Sequence, residues 1–415
     1  MHPDPNYYFR PLEKSLKEAL CDTPVVCILG PRQCGKSTLA RHFGSNYSYV
    51  NLDEEETLRA ALGDPTGFVN ALSEYAILDE VQHAPDLLRA LKVVVDKKRT
   101  PGRFLLTGSA NLLLLPQLSD SLAGRMEIIQ LQTLSEAEKE RAPGDFLRIF
   151  LEGKLKSKIQ GEEKSDSPSL QERIVAGGYP EPLTRSPARA RQWHRHYLKS
   201  IIERDVQTIA NVRDVHQLSL LLEMLALSTA QLVNTLQLSR ALRLDRKTID
   251  HYLSILERLF LIRSLPSWHN NEGKRLQKTS KIHLLDSGLT ATLAGLNATD
   301  WIARRERFGH LLESFVVQQF ITQAGWTDPD LRFWHYRDHD HVEVDLVITR
   351  GKETWGVEVK AAASLSKSDG KGLRRLAGLC GKNFRGGIIL YNGNNTFQME
   401  DKRFFSVPLK RLWNC

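Results

Sequence analysis

The 415-residue chain is predicted to be an α/β protein of two or three domains. Three observations predict this fold class. In the first third of the chain, apolar runs of strand length alternate with helical patterns, which is typical of a parallel sheet covered by helices. Short helical patterns follow between residues 214 and 257, and an acid-bearing β-hairpin pattern surrounds residue 350. The content of 41% hydrophobic and 26% charged residues indicates a globular protein and excludes an extended disordered chain.

The formal net charge of +8 is concentrated in two segments. Residues 185–275 carry 15 Lys and Arg against 8 Asp and Glu, and residues 351–415 carry 12 against 5, so each segment has a balance of +7. The rest of the chain therefore sums to −6. An anionic partner is expected at these two segments and not at the N-terminal third, although a basic excess of this size also fits a solvated surface.

Membrane and secreted classes are not indicated. No apolar run approaches the roughly 20 residues of a membrane-spanning helix, and the first residues contain no basic segment followed by an apolar one. The five cysteines are odd in number and form no CxxC pair, so neither a disulfide scaffold nor a zinc knuckle is predicted. We therefore expect a cytoplasmic protein with no membrane partner.

An apolar run at residues 25–29 predicts a strand buried on both faces, and the next segment has the pattern G-x-x-x-x-G-K-S. Such a loop turns its amides towards phosphate oxygens, and the following helix presents its N-terminus to the anion. Lys36 is predicted to reach the β and γ phosphates of ATP, and Ser37 to bind Mg²⁺. Cys34 is either an oxidation-sensitive thiol or a small filler. The predicted nucleotide-binding residues are Gly30, Pro31, Arg32, Gln33, Cys34, Gly35, Lys36, Ser37, Thr38, Asp79 and Ser109.

A second apolar run, at residues 76–78, ends in two acids, Asp79 and Glu80. At the tip of a strand beside the P-loop strand, Asp79 is predicted to hold the magnesium shell and Glu80 to orient the attacking water. Without the P-loop, the same pair would be interpreted as acids near a helix N-terminus. We therefore assign Glu80 a catalytic role and Asp79 a metal-binding role.

Two more strand patterns, at residues 104–106 and 126–131, each lie beside a candidate polar residue. Ser109 follows the first pattern and is either a sensor of the γ phosphate or a turn residue. Arg125 precedes the second pattern and is either a catalytic arginine supplied to a neighbouring subunit's nucleotide or a surface residue. Both interpretations remain open for each residue.

Four of these segments, residues 30–37, 78–80, 106–109 and 122–125, together resemble a large bacterial and archaeal family of AAA-superfamily ATPases. The similarity continues into residues 177–181 and 202–206, so it covers nearly the whole chain. The resemblance implies ATP binding and slow ATP hydrolysis, often in an oligomer. We therefore expect a homo-oligomer, for which a hexamer is one arrangement.

Residues 214–257 contain several short helical patterns, and the last of them places Ile249, Leu253 and Leu256 on one face. The other face carries Arg246, Lys247, Asp250 and His251. Together with two later strand patterns, these helices predict a winged helix-turn-helix domain whose third helix enters a DNA major groove. The alternative is a module for protein interaction or for packing. The basic balance of this part of the chain favours nucleic acid.

Near the C-terminus, two strand patterns joined by residues 349–353 predict a β-hairpin. Asp345 lies on the first strand, and Glu358 and Lys360 share a face of the second. This pattern closely resembles the core of the PD-(D/E)XK nucleases, in which a helix acid, matched here by Glu313, joins the two strand acids. The resemblance implies that the three carboxylates bind Mg²⁺ or Mn²⁺, and that the lysine orients a water molecule.

The match departs from the family pattern at Val344, which stands where the motif's name has proline. The neighbouring Glu343 is predicted to point to the opposite face of its strand, into solvent. The alternative to an intact site is a degenerate core that binds without cutting. A basic helix beyond the hairpin is predicted to contact the DNA backbone through Lys367, Lys371, Arg374 and Arg375.

The predicted function is ATP-dependent DNA processing, in which the ATPase is coupled to Mg²⁺- or Mn²⁺-dependent cleavage of duplex or branched DNA. The alternative is a nucleotide-gated DNA-binding switch, or a motor that remodels branched DNA, with a vestigial nuclease fold. Residues 152–173 are charged and serine-rich and predict an exposed excursion. The predicted domains are a P-loop parallel-sheet ATPase domain (1–150), a helical lid and linker (151–210), a winged helix-turn-helix domain (211–300) and an α/β restriction-endonuclease-like domain (301–415).

Overall fold

The computed structural model describes residues 7–44, 46–109, 122–159, 168–205, 214–270, 279–366 and 368–414. These residues form two compact units. The first unit consists of Arg10–Thr133 and Ser254–Leu261, and the second contains the other described residues. Within the described ranges, no helix is both long enough and apolar enough to cross a membrane.

The first unit is built around a five-stranded parallel sheet. Its strands are β1 (Val25–Leu29), β2 (Ser48–Asn51), β3 (Ala76–Asp79), β4 (Phe104–Gly108) and β5 (Met126–Gln130). They are arranged in the order β2-β3-β4-β1-β5, and all neighbours run parallel. The helices of this unit are α1 (Glu13–Asp22), α2 (Lys36–Phe43), α3 (Glu55–Gly63), α4 (Pro65–Ala71) and α5 (Leu87–Lys97), with a 3₁₀ turn at Val81–His83.

Strands β1, β3 and β4 are fully buried, which explains why their sequences are almost continuously apolar. Because the strands are parallel, their carboxyl ends meet at one edge of the sheet. The loops that start at this edge begin with Gly30, Glu80 and Ser109. The four strands predicted for this part of the chain are confirmed, and they bring the predicted nucleotide-binding residues to the same edge.

The second unit is mainly helical before residue 300. Its helices are α6 (Glu136–Lys139), α7 (Phe146–Leu151), α8 (Leu170–Ala176), α9 (Pro180–Leu183), α10 (Pro187–Ser200), α11 (Val215–Leu227), α12 (Thr235–Leu242), α13 (Arg246–Arg258, whose last residues belong to the first unit), α14 (Ser287–Leu293), α15 (Asp300–Ala303), α16 (Arg305–Thr327) and α17 (Lys371–Cys380). Ile201–Asp205 is a short π-helical segment, and 3₁₀ turns lie at Gly381–Asn383 and Leu409–Leu412.

Three short strands lie among these helices: β7 (Gln231–Leu232), β8 (Ile262–Leu265) and β9 (Lys281–Leu284). Strand β9 is central and pairs antiparallel with the other two. Along the chain, the elements follow the order α11-β7-α12-α13-β8-β9. The two longest predicted helices of this segment are confirmed as α11 and α13.

A seven-stranded mixed sheet completes the second unit. Its strands are β6 (Lys158–Ile159), β10 (Arg332–Arg337), β11 (Glu343–Arg350), β12 (Glu353–Lys360), β13 (Phe384–Tyr391), β14 (Asn395–Gln398) and β15 (Phe404–Pro408). The order is β10-β11-β12-β13-β15-β14-β6, with parallel pairing between β12, β13 and β15 and antiparallel pairing elsewhere. Strands β11 and β12 confirm the predicted hairpin.

Helix α16 is the central helix of the second unit, and its apolar residues share one buried core with the apolar residues of the large sheet. Its polar residues also form hydrogen bonds. The side-chain oxygen of Gln319 accepts one from the Glu136 amide at 2.8 Å, and that of Gln323 accepts one from the Leu147 amide at 2.9 Å. These bonds attach the segment after residue 133 to α16. The predicted domain boundaries at 150, 210 and 300 stay predictions.

Within the predicted exposed excursion, residues 156–158 are exposed, residues 158–159 form an edge strand that pairs with β14, and residues 160–167 lie outside the described residues. One prediction about an exposed side chain is corrected. Glu343 does not point to a solvated face: it forms ion pairs with Arg337 at 2.8 Å and Lys281 at 3.5 Å. The reason is the two-residue period of a strand, which places Glu343 on the same face as Asp345. Lys367 also lies outside the described residues.

Candidate functional site

The loop between β1 and α2 has the geometry of a phosphate-binding loop. Gly35 adopts a left-handed conformation (φ 104°), and a Cβ atom at Gly30 would lie 2.0 Å from the Leu131 carbonyl oxygen. Both positions therefore require glycine. Helix α2 begins at Lys36, so its N-terminal amides face the loop. The buried Lys36 ammonium group donates a hydrogen bond to the Pro31 carbonyl at 2.8 Å.

Asp79 lies beside this loop and is surrounded by hydroxyl groups. Its Oδ1 accepts a hydrogen bond from Ser37 at 2.9 Å and another from Thr107, and its Oδ2 accepts one from Tyr49. Burial and the bond to Asp79 raise the pKa of Tyr49 to about 12, so this phenol stays neutral. The Asp79 carboxylate is therefore buried among neutral donors. Sequence reasoning missed Tyr49, which lies in a neighbouring strand without a motif of its own.

Glu80 is placed by an unusual backbone and a polar network. It adopts a left-handed conformation (φ 57°), and its amide donates to the Thr107 hydroxyl at 3.1 Å. The Gln82 amide group donates to the Glu80 carboxylate and, at 2.9 Å, to the Ser109 hydroxyl. Ser109 also accepts a hydrogen bond from Arg32 at 3.4 Å. The network thus joins Glu80 to Ser109, and Gln82 is a second residue that sequence reasoning missed.

Arg10 connects the P-loop to the segment that follows β5. Its guanidinium group is buried and donates to the Cys34 carbonyl at 3.1 Å and to the Gln132 carbonyl at 2.8 Å. No motif in the sequence indicates this residue. Cys34 itself is fully buried, and burial raises the pKa of its thiol despite the nearby Lys36. This favours the interpretation of Cys34 as a filler, because the thiolate is the reactive form.

Arg125 lies at the opposite edge of the parallel sheet. Its carbonyl accepts a hydrogen bond from the Val25 amide at the start of β1, whereas the P-loop follows the end of β1. Its guanidinium group donates to the Asp96 carboxylate at 3.1 Å and to the Ala123 carbonyl at 3.0 Å. Arg125 is therefore not part of the nucleotide site of its own chain. Its role towards another subunit stays a prediction.

In the second unit, a cleft of about 360 Å³ is lined by Asp345, Glu358 and Lys360 among others. Asp345 Oδ2 accepts a hydrogen bond from the Val359 amide at 2.8 Å, and Glu358 Oε1 accepts one from the Leu373 amide at 3.0 Å. Lys360 Nζ lies 3.7 Å from Glu358 Oε2. Burial and the neighbouring Asp345 raise the pKa of Glu358 to about 8. The structure thus brings the three predicted hairpin residues to one cleft.

The fourth predicted residue, Glu313, has a lysine as its partner. The Lys281 ammonium group donates a hydrogen bond to Glu313 Oε1 at 2.8 Å, and both side chains are buried. Burial alone would lower the pKa of Lys281, but Glu313, Asp345 and Glu343 together raise it. Sequence reasoning missed Lys281, although a lysine in a buried strand pattern was a signal that it could have used.

The two acidic sites differ in how well they fit a divalent metal ion. Ser37 and Asp79 offer adjacent oxygen ligands, which suits Mg²⁺ at a bound nucleotide. The Glu313, Asp345 and Glu358 set does not fit, because Glu313 is paired with Lys281. Throughout the described ranges, no three His, Cys, Asp or Glu side chains are grouped so as to hold a metal ion. The predicted three-carboxylate metal site is therefore absent from this arrangement.

The P-loop, the acid at the end of the adjacent strand and the parallel sheet define a P-loop ATPase of the AAA type. A family model described as "AAA domain" matches residues 22–139. Two models described as domains of unknown function, DUF8612 and DUF4143, match residues 167–300 and 308–412.

The chain belongs to the same family as the uncharacterized protein Rv2008c of Mycobacterium tuberculosis, to which it is 30% identical over 402 residues, covering 96% of this chain and 82% of the relative. An uncharacterized protein of Haemophilus influenzae is 24% identical over 313 residues, covering 69% of this chain and 73% of that protein. Among solved structures, the Walker-type ATPase of Pyrococcus abyssi is similar with a TM-score of 0.42 and 16% identity, covering 69% of this chain and 96% of the other.

Proposed function

We propose that the protein is an ATP-dependent DNA-processing protein, in which the nucleotide state of the P-loop controls how DNA is held by the second unit. The observation that carries the proposal is the pair of exposed basic residues Arg246 and Lys247 on α13, and the element order around this helix is compatible with a winged helix-turn-helix domain. The nucleotide part rests on the AAA-type ATPase site described above. The proposal combines a hydrolytic site with a DNA-binding surface in one chain.

At the nucleotide site, the P-loop amides and Lys36 would bind the phosphates. Ser37 and Asp79 would hold Mg²⁺, which supplies charge neutralisation at the β and γ phosphates. Glu80 would orient the attacking water, and Gln82 would keep the Glu80 carboxylate directed towards Ser109 until nucleotide binds. Tyr49 positions Asp79 through its hydroxyl group.

At the proposed DNA-binding surface, α13 buries Ile249 and Tyr252 and exposes Arg246, Lys247, Asp250 and His251. Arg246 Nε lies 4.0 Å from Asp250 Oδ2, an exposed ion pair that DNA phosphates would have to displace. A helix with one buried and one basic face can enter a major groove and contact both base edges and phosphates. The preceding residue Asp245 caps this helix, because its carboxylate accepts hydrogen bonds from the Thr248 amide at 2.9 Å and hydroxyl at 2.7 Å. The cap fixes where the basic face begins.

The test is the affinity of the full chain for a labelled duplex and for a four-way junction, measured with ATP, with ADP and without nucleotide. We expect Arg246→Ala with Lys247→Ala to weaken binding at least tenfold, since each lost phosphate or base contact costs about 1 kcal/mol or more. The matched control is Arg305→Ala with Arg307→Ala, which removes two exposed arginines from α16. Equal losses in both pairs, or no binding by the wild type, would refute the DNA-binding part.

The nucleotide dependence is tested with Lys36→Ala. This variant should retain basal DNA binding and lose the difference in DNA affinity between ATP and ADP. Its control is Lys97→Ala, an exposed lysine at the end of α5. A wild type whose DNA affinity is the same in all nucleotide states would contradict the proposed coupling.

A second candidate function is DNA cleavage, and it is favoured by the meeting of Asp345, Glu358 and Lys360 in one cleft. The order of helix α16 followed by the β10-β11-β12-β13 part of the sheet is also the order expected for a restriction-endonuclease-like core. Incubation of linear, nicked, single-stranded and branched DNA with Mg²⁺ or Mn²⁺ tests this candidate. It requires cleavage that is lost in both Asp345→Ala and Lys360→Ala.

The last part of the proposal is that the ATPase acts as an oligomer, and substitution of Arg125 tests it. If Arg125 acts on a neighbouring subunit's nucleotide, ATP turnover per chain should rise with protein concentration, and Arg125→Ala should remove that rise. Asp96→Ala is the matched control, because it breaks the same ion pair and keeps the arginine. Turnover that is independent of concentration would exclude this role.

A further inference from the structure

The acidic cluster around Glu313 already contains a cation, and that cation is a side chain. We propose that Lys281 is the resident cation of this cluster, so that its ammonium group occupies the place a divalent metal ion would take beside Glu313, and that the folded protein binds no divalent metal through Glu313. The inference goes beyond the proposed function and does not depend on DNA binding or on ATP hydrolysis.

The contacts show how completely the lysine is engaged. Lys281 Nζ lies 2.8 Å from Glu313 Oε1 and 3.5 Å from Glu343 Oε2, and only 5% of the lysine side chain is exposed. Asp345 adds a third negative charge that acts on the same ammonium group. The buried ammonium group is surrounded by carboxylates, as a metal ion is surrounded by acidic ligands. The ammonium group differs in that it donates hydrogen bonds, whereas a metal ion accepts electron pairs from its ligands.

Lys281 lies in β9, which is paired with a strand on each side. Lys281 pairs with Leu265 of β8 on one side and with Leu232 of β7 on the other. On the same face of β9, His283 Nδ1 lies 2.9 Å from the Ser314 hydroxyl, one residue beyond Glu313. Strand β9 is therefore attached to α16 at two successive side-chain positions. A metal ion at Glu313 would have to displace the ammonium group of Lys281, whose backbone is fixed by strand pairing on both sides.

The desolvation cost explains why the lysine matters for the fold. A buried carboxylate such as Glu313 is costly to remove from water without a partner, and the partly exposed Asp345 and Glu343 add negative charge beside it. Lys281 compensates them without any ion from solution. Its removal should therefore leave Glu313 and the nearby Glu343 without a cation, and carboxylate oxygens are the ligand type that Mn²⁺ and Mg²⁺ prefer.

The test is Mn²⁺ binding to the nucleotide-free full chain, counted by the electron paramagnetic resonance signal of free Mn²⁺. We expect Lys281→Ala to bind one Mn²⁺ more than the wild type and to gain several degrees in melting temperature when Mn²⁺ is added, while the wild type does not. Lys281→Arg, which keeps the charge, and the double variant Lys281→Ala with Glu313→Gln should not gain the ion. The nucleotide site is the same in all four proteins, so the differences report on the cluster.

The wild type supplies an independent arm that does not require Lys281→Ala to fold. Glu313→Gln should not change the number of Mn²⁺ ions that the otherwise unaltered chain binds. If this substitution removes a bound ion, or if Lys281→Ala folds and gains none, the proposal is overturned. A DNA-binding or ATPase defect in any variant would leave this count unaffected, so a failure here is distinguishable from a failure of the proposed function.

Discussion

The surroundings of Asp79 and of Glu313 show two ways in which one chain buries a carboxylate. Asp79 is held by the hydroxyl groups of Ser37, Thr107 and Tyr49, all of which are neutral. Glu313 is held by the ammonium group of Lys281. Hydroxyl groups satisfy the hydrogen-bonding capacity of a carboxylate without cancelling its charge, so the first site keeps its attraction for a cation and the second has already satisfied it.

This difference explains why similar residue patterns lead to different conclusions. At the P-loop, the negative charge would be available to Mg²⁺ at a bound nucleotide. In the second unit, we expect the cluster to bind a metal ion only if Lys281 is removed. An acidic pattern in a sequence therefore predicts a metal site only when the positive side chains that reach it are also known.

The largest effect that tests the comparison is expected for Asp79→Asn. This change keeps the size of the side chain and removes the charge that Mg²⁺ requires, so ATP hydrolysis should fall by about two to three orders of magnitude, as expected for the loss of a preorganised charge contact. Glu313→Gln is the matched acid-to-amide control and should leave ATP hydrolysis within about twofold of the wild type. Steady-state turnover with saturating Mg²⁺ and ATP measures both. Comparable losses in the two variants would remove the distinction between the sites.

The pH dependence of stability should reveal Glu358, which has a pKa raised to about 8 by burial and by Asp345. In the unfolded chain, its pKa is near the ordinary value of about 4.3. The unfolded state therefore loses the proton first as pH rises. The stability from the buried neutral carboxyl is complete below about pH 4 and is lost as pH rises through 8, by up to about 1.4 kcal/mol per pH unit.

Glu358→Gln removes this titration and can keep the hydrogen bond from the Leu373 amide. In a chelating buffer between pH 5 and 8, the unfolding midpoint of the variant should rise progressively relative to that of the wild type. Thermal unfolding followed by fluorescence at each pH measures the difference. Curves that stay parallel across this range would show that Glu358 is already ionised in the folded protein.

Most of the first unit was predictable because its signals are local. The apolar run of β1, the glycines of the P-loop and the acids after β3 all lie in short stretches whose structure follows from their own residues. Tyr49, Gln82 and Arg10 were not predictable, because no motif marks them. Tyr49 lies in β2, Gln82 in the turn after Glu80 and Arg10 before α1, and each is linked to the site by a hydrogen bond that leaves no mark in the local pattern.

The second unit was predictable to a smaller extent for the same physical reason. The β11-β12 hairpin and its residues Asp345, Glu358 and Lys360 follow from strand alternation and a short turn. The partner of Glu313 comes from a strand 32 positions away along the chain, and no spacing rule connects the two. The error at Glu343 was of another kind, because a correct count of alternating positions would have placed it on the face of Asp345.

A smaller effect is expected for Tyr49→Phe, which removes one neutral donor from Asp79. Loss of one hydrogen bond, worth about 1 kcal/mol, should raise the Mg²⁺ concentration for half-maximal ATP hydrolysis by roughly three- to tenfold and change turnover at saturating Mg²⁺ less. Tyr47→Phe is the matched control, because Tyr47 donates to the Gly102 carbonyl and not to Asp79. A Mg²⁺ titration of ATPase activity separates the variants. An unchanged midpoint for Tyr49→Phe would mean that Ser37 and Thr107 suffice to place Asp79.

The smallest effect on stability is expected for Glu343→Gln. Its size relative to that of Glu313→Gln measures how the interaction of Lys281 is divided between the two carboxylates. Glu343 is 3.5 Å from the ammonium group with a third of its side chain exposed, whereas Glu313 is at 2.8 Å with a tenth exposed. Solvent screens the first contact, so Glu343→Gln should cost below 1 kcal/mol of unfolding free energy. Glu313→Gln leaves a buried ammonium group without its nearest partner and should cost about 3 kcal/mol or more. Chemical unfolding of the two variants gives both values, and similar costs would mean that the lysine belongs to the whole cluster and not chiefly to Glu313.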